Sequence, residues 1–247
     1  MAKAAAADQL KLLDLQALDT KLAQLSHRAR TANANPDIAE ADKGLSQSRR
    51  QLVETDTAIE DTQRELTRAE NDVEMVVNRI DRDQKRLDSG AGTSKDLTAL
   101  QSELESLAKR RSDLEDVELE VMERMEALTV RRGSEAAASD SLAQQHDELL
   151  RQRDEELAAI ETERESVEQQ RAETADGIDA GLVGSYDKIR ANHNGVGAGA
   201  LHQRRCGACR MELNPRDLAD IAKAAEDDVV RCEECGRILV RTAESGL

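Results

Sequence analysis

The clearest chemistry in this sequence belongs to its four cysteines, which fall as two pairs, Cys206-Gly-Ala-Cys209 and Cys232-Glu-Glu-Cys235. Two residues separate the thiols of each pair, so one tight turn can present both to the same ion. A second such turn closes the other side of a tetrahedron, and the interval from Arg210 to Arg231 is close to that of zinc ribbons. Gly207 follows the first cysteine of one pair and Gly236 the second cysteine of the other, where amides must turn toward sulfur. The expectation is one structural Zn2+ held by Cys206, Cys209, Cys232 and Cys235. The competing reading is a set of buried or redox-active cysteines. Redox chemistry of the thioredoxin kind, however, needs a single such pair beside a βαβ pattern, and none is visible.

Four protein thiolates would fill the coordination sphere and leave no position for water or substrate. His202, four residues before Cys206, could replace a ligand but reads as a solvated loop residue. His27, His146 and His193 have no partner at metal spacing and read as surface residues. No Ser/His/Asp constellation and no phosphate-cradling glycine loop is present; Gly195, Gly197 and Gly199 follow no strand pattern. The chain is read as a non-enzyme.

These thiols have to be positioned by a chain of unusual composition. Its 247 residues carry 35 Lys and Arg against 51 Asp and Glu, with no Trp, no Phe and one tyrosine, Tyr186. A globular core of this length would normally bury several aromatics. Their scarcity, with abundant charge, points to long helices that bury a narrow seam. No apolar run approaches the roughly 20 residues that span a bilayer, and the first residues are too short and weakly apolar for a signal peptide. Paired thiols meant for zinc suit a reducing compartment. The expectation is cytoplasmic, with no membrane partner.

Apolar residues recur every seventh position at Ile38, Leu45, Leu52, Ile59, Leu66, Val73, Ile80 and Leu87, with small or weakly apolar companions three residues on. Leu15, Leu18, Leu22 and Leu25 keep the spacing in another phase, and the shift falls at Asn33-Ala-Asn-Pro36. Ser89-Gly-Ala-Gly92 stops the long helix, and Thr93-Ser-Lys-Asp96 starts another through a capping box. A second heptad runs through Leu100, Leu107, Leu114, Val121 and Leu128, flanked by Leu97, Leu104, Val117 and Met125. A bend is expected at Gly133, after which Leu142, Leu149, Leu157, Ile160 and Val167 could pack on the first helix. Two heptad helices joined by a short polar turn predict an antiparallel hairpin, its arm from Pro36 to Asp88 roughly 80 Å long; an intermolecular coiled coil is the alternative.

The predicted fold is mainly α: a long antiparallel coiled-coil hairpin over 1–192, with its turn near 89–94, then a small C-terminal zinc ribbon. Residues 193–200 read as a flexible glycine-rich linker, and 201–247 as the ribbon, with a helix over 215–225 and short strands at Val229–Val230 and Ile238–Val240.

Several segments together resemble the bacterial C4-type zinc ribbon proteins with a long N-terminal coiled coil. Cys232-Glu-Glu-Cys235-Gly-Arg-Ile-Leu239 looks like that family's closing signature, and Cys206-Gly-Ala-Cys209 its opening knuckle. Lys95-Asp-Leu-Thr-Ala-Leu-Gln-Ser-Glu103 resembles its hairpin turn, with Leu97 where an aromatic is common. The resemblance implies the coil, the ribbon and its zinc. It also implies an adaptor role, since relatives are described as partners of an alternative sigma factor and one as binding a flagellar transcript.

Two functions remain open on the residues. Residues 186–247 hold 10 basic and 10 acidic side chains, so the formal −16 lies on residues 1–185. An acidic coil suits protein–protein interaction, as a monomer or a homodimer, and the resemblance adds the transcription machinery as a possible partner. Alternatively the ribbon binds RNA or DNA through Arg204, Arg205, Arg210, Arg231 and Arg237, which flank the two knuckles. Against nucleic acid stand Glu212, Asp227, Asp228, Glu233 and Glu234 and the absence of a stacking aromatic in the ribbon.

Overall fold

A computed structural model describes residues 2–247, and the chain divides into two compact units, 36–150 and 2–35 with 151–247. Among the described residues, five helices and three short strands are formed: α1 (Ala6–Asn33), α2 (Pro36–Asp88), α3 (Ser94–Asp176), α4 (Ala180–Asn192), β1 (Ala198–His202), β2 (Arg205–Cys206), α5 (Pro215–Lys223) and β3 (Ile238–Val240). The break between α1 and α2 falls where Pro36 opens the new helix, and α3 begins at the predicted capping box. There the Thr93 amide donates to the Asp96 carboxylate at 3.0 Å, and the Asp96 amide donates back to the Thr93 hydroxyl at 3.3 Å. No bend interrupts α3 at Gly133; one glycine within 83 helical residues costs too little to end the helix.

In the 36–150 unit, α2 and the first part of α3 run antiparallel. Arg79 pairs with Glu103 at 2.8 Å and Glu65 with Arg124 at 2.6 Å, with the Asp56–Arg132 pair farther on, so the partner number falls as the other rises. The buried stripe of α2 consists of Leu45, Ser48, Thr55, Thr62, Ala69, Val76 and Asp83. The small companion positions are therefore more deeply covered than most of the Leu and Ile positions that set the heptad. On α3 the seam buries Leu100, Val121 and Ser139, whereas Val117 is 49% exposed and does not flank it. Arg79 donates to Asp83 at 2.6 Å, which keeps that buried carboxylate paired.

In the other unit, α1 lies along the last turns of α3. Leu25, Ile160 and Val167 form one apolar cluster with Leu18, Leu22 and Ala29 against it. Lys21–Glu163 at 2.8 Å borders the cluster, and Arg28 reaches Glu156 and Glu163 at 3.6 Å. A second cluster joins Leu12 and Leu15 of α1, Ile178, Leu182, Tyr186 and Ile189 at α4, and Ala198, Val229, Ile238 and Val240 of the cysteine-bearing region.

This second cluster corrects the expectation of a flexible linker. Residues 198–200 of the supposed connector belong to β1, the strand at the centre of a three-stranded sheet ordered β2-β1-β3, antiparallel to β2 and parallel to β3. Two of the connector's glycines, Gly197 and Gly199, permit close approach. A Cβ at Gly197 would lie 2.7 Å from the Tyr186 ring, and one at Gly199 would lie 2.5 Å from the Ala208 amide nitrogen. Val229 and Val230 form no strand of their own; Val229 and Ala4 instead bond across to each other's segment, the Val229 amide to the Ala2 carbonyl at 2.9 Å and the Ala4 amide to the Asp227 carbonyl at 2.8 Å. Lys3 adds an ion pair to Asp227 at 2.8 Å.

Candidate metal centre and the loops around it

Each cysteine pair sits in a turn built the same way. The Cys206 amide donates to the Met211 carbonyl at 3.0 Å, and the Cys232 amide to the Arg237 carbonyl at 2.9 Å. In return the Arg210 amide donates to the Cys206 carbonyl, and the Gly236 amide to the Cys232 carbonyl, both at 2.7 Å. The residue after each second cysteine takes the left-handed backbone conformation, Arg210 at φ 66° and Gly236 at φ 70°. Gly236 fills that role at no steric cost; in the other turn Arg210 fills it. Gly207 serves differently: its amide bonds the Ala200 carbonyl at 2.8 Å, and a Cβ would lie 2.8 Å from that oxygen.

The four sulfur ligand atoms all lie within 4.8 Å of one another, with Cys209 and Cys232 3.9 Å apart. Tetrahedral zinc with Zn–S of about 2.3 Å places sulfurs roughly 3.8 Å apart, so the set fits the ion. Cys206 and Cys232 are buried, and Leu201, Leu213, Leu218, Ile221, Val230 and Leu239 pack around them. Burial pushes both thiols above their usual range in the metal-free head. Four cysteines in a C4 ribbon hold one structural zinc, whose chemistry is to bind four thiolates and staple the two turns.

The geometry of the surrounding arginines is mixed. Arg204 stands with Gln203 at the tip of the β1–β2 hairpin, a two-residue loop in which φ is positive at both positions, 48° and 66°. The segment after β3 supports this loop: the Gln203 and Arg204 amides donate to Glu244 and Ser245 carbonyls at 2.8 and 2.9 Å. Arg205 pairs loosely with Glu212 at 3.4 Å, and Arg231 donates to the Ser185 hydroxyl at 3.2 Å. Arg237 is committed internally, donating to the Val196 and His193 carbonyls at 3.0 and 3.1 Å. His202 pairs with Glu244 at 3.0 Å, and His193 contacts the Ile189 carbonyl, so neither faces the sulfurs as a ligand.

Sequence reasoning missed the group that ties α1 to α4. Asp19, with a fully buried side chain, accepts from Arg171 at 2.7 Å, from the Tyr186 hydroxyl at 2.7 Å and from Arg190. Burial first, and then the Asp19 carboxylate, push the Tyr186 phenol far above its usual value, so it remains a proton donor. Only the isolation of Tyr186 in an aromatic-free chain hinted at such a centre.

Residues 15–194 match the CT398-like coiled coil hairpin domain, and residues 205–239 match the C4-type zinc ribbon domain. The chain belongs to the CT398-like coiled-coil hairpin family. Within that family, an uncharacterized protein of Mycobacterium tuberculosis is 38% identical over 239 residues, covering 97% of each chain. A solved structure from Mycobacterium smegmatis shares 36% identity at a TM-score of 0.84, covering 97% of this chain and 100% of that one. CT398 of Chlamydia trachomatis shares the fold at a TM-score of 0.65, with 20% identity over 95% of this chain and 98% of that one. This family member carries both of the family's signatures, hairpin and ribbon. Among its described residues no helix is long and apolar enough to cross a membrane.

Proposed function

We propose that the chain is a non-enzymatic adaptor of the reducing cytoplasm whose zinc head mediates protein–protein interaction. The closed four-sulfur centre carries this reading: a filled tetrahedron can shape loops but offers substrate no position. The resemblance drawn from the knuckle and turn motifs makes the transcription machinery one candidate class of partner and leaves the partner itself open. Arg204, Arg205, Arg210 and Arg231 are the side chains the head displays for contact, and Arg237 supports them by holding the loop at His193–Val196. The adaptor works as a monomer or a homodimer.

A second reading, RNA or DNA binding through the same arginines, is favoured by one observation. Arg204 and Arg210 occupy left-handed backbone where an L-residue costs about 1–2 kcal/mol and glycine nothing, which suggests that their side chains are wanted. Glu212 beside Arg205, and Glu233 and Glu234 between the second pair of cysteines, weigh against phosphate.

Native capture from the source cell separates the two, with and without nuclease. The bait is intact chain or a variant carrying Arg204→Ala, Arg205→Ala and Arg210→Gly, which leaves the sulfurs and both clusters in place. Proteins that survive nuclease and are lost with the arginines establish the adaptor. Retention that disappears with nuclease establishes nucleic-acid binding instead, and the absence of any specific capture refutes both.

A further inference from the structure

On the head, a cleft of about 430 Å³ opens between α5, the segment Val229–Glu233 and Ala2. Its floor is apolar, made by Leu213, Ile221, Ala224, Val229 and Val230. Its rim is charged, with Asp217, Asp220 and Glu233 against the single cation Arg231. Cys232 lies between Arg231 and Glu233, so the zinc centre, formally −2 with four thiolates, adds negative potential beside the same rim. The volume is at the lower end of the range for clefts that bury a ligand, roughly 300–1,000 Å³.

Three acidic side chains and an anionic metal centre over an apolar floor disfavour anions and nucleic acid. They complement a segment that brings an apolar anchor and flanking positive charge. Rim charges of this kind select the partner and speed encounter, while the buried anchor sets its residence time. We propose that this cleft is the adaptor's peptide site, taking a short basic segment of a partner protein with a leucine-like side chain seated on Ile221, Val229 and Val230. The proposal rests on the adaptor reading and adds to it the chemistry of the partner.

The test uses the full zinc-loaded chain and a defined probe: a fluorescent six-residue peptide with two central leucines and a lysine–arginine pair on each side. Two control peptides replace the leucines by serine or the basic residues by glutamate. Binding of the probe should weaken at least about tenfold in each control. It should weaken as much with Asp220→Lys and Glu233→Lys together, both exposed positions, and with Ala224→Leu, which narrows the cleft without changing charge. A photoreactive leucine in the probe should label residues 213–233. Zinc content and the helical signal of each variant verify that it is folded. Equal binding of the serine peptide, or labelling within 36–150, would mean that the acidic coil attracts the probe non-specifically and would overturn the proposal. Insensitivity to Asp220→Lys/Glu233→Lys and to Ala224→Leu would do so too. Such a result leaves adaptor function standing if nuclease-resistant capture persists, so the two failures are separable.

Discussion

Arg210 and Gly236 occupy equivalent places in the two cysteine turns, with the same hydrogen bonds and nearly the same φ. Their substitutions should therefore have opposite consequences. Gly236→Ala places a Cβ in left-handed backbone and should cost about 1–2 kcal/mol, whereas Arg210→Gly should leave stability within about 1 kcal/mol of the parent or improve it. Chemical denaturation of the zinc-loaded chain measures both. Burial of the Cys206 and Cys232 thiols carries a pH sign. The metal-free thiols hold their protons at neutral pH, zinc must displace them, and a falling pH restores the competition. Zinc should pass to a fixed chelator more readily at pH 6 than at pH 8; an unchanged distribution would mean that the sulfurs are not the ligands. Asp19 is the other residue on which much depends. Asp19→Ala removes an acceptor shared by Arg171, Arg190 and Tyr186 while Asp187 still pairs with both arginines, and should cost about 1–3 kcal/mol in the unit holding α1 and α4. Tyr186→Phe, which removes one hydrogen bond, should cost about 1 kcal/mol.

At the scale of elements, the metal-bearing sheet and the helices α1 and α4 share one apolar cluster. Removing zinc, or substituting Cys232→Ser, should therefore loosen more than the ribbon. Hydrogen exchange should show lost protection at residues 6–19 and 180–192 as well as 198–240, with the pairs along 36–150 kept. Protection lost over 198–240 alone would mean that the cluster contributes little. Gly199→Ala should be as damaging as a ligand substitution, because the Ala208 backbone lies where the methyl must go. How legible these elements are in the sequence follows from which physics sets them. The heptads of α2 and α3, the Pro36 break and the Thr93 cap are local patterns, and all are readable directly. The Cys-x-x-Cys spacing locates the sulfurs because turn geometry is local too. β1 was hidden because glycines that permit close approach look, in sequence, like glycines that permit flexibility. Asp19 was hidden because its partners lie about 150 to 170 residues away, and an acidic residue on a charged helix carries no mark of burial.

The chain as a whole keeps its excess negative charge on residues 1–185, while residues 186–247 balance 10 basic against 10 acidic side chains. Within 36–150 the stabilising pairs are close in sequence near the turn, such as Arg79 and Glu103, 24 residues apart. In the other unit they span nearly everything: Lys3 meets Asp227, 224 residues on. Leu12 and Leu15 have their apolar partners in Ile178, Tyr186, Ile238 and Val240. During synthesis, then, α1 must keep its apolar face uncovered until residues 178–240 have followed, while the hairpin between them can already zip. Refolding should show the same order, with early exchange protection in 36–150 and a later, loop-closure-limited step that joins the first residues to the last.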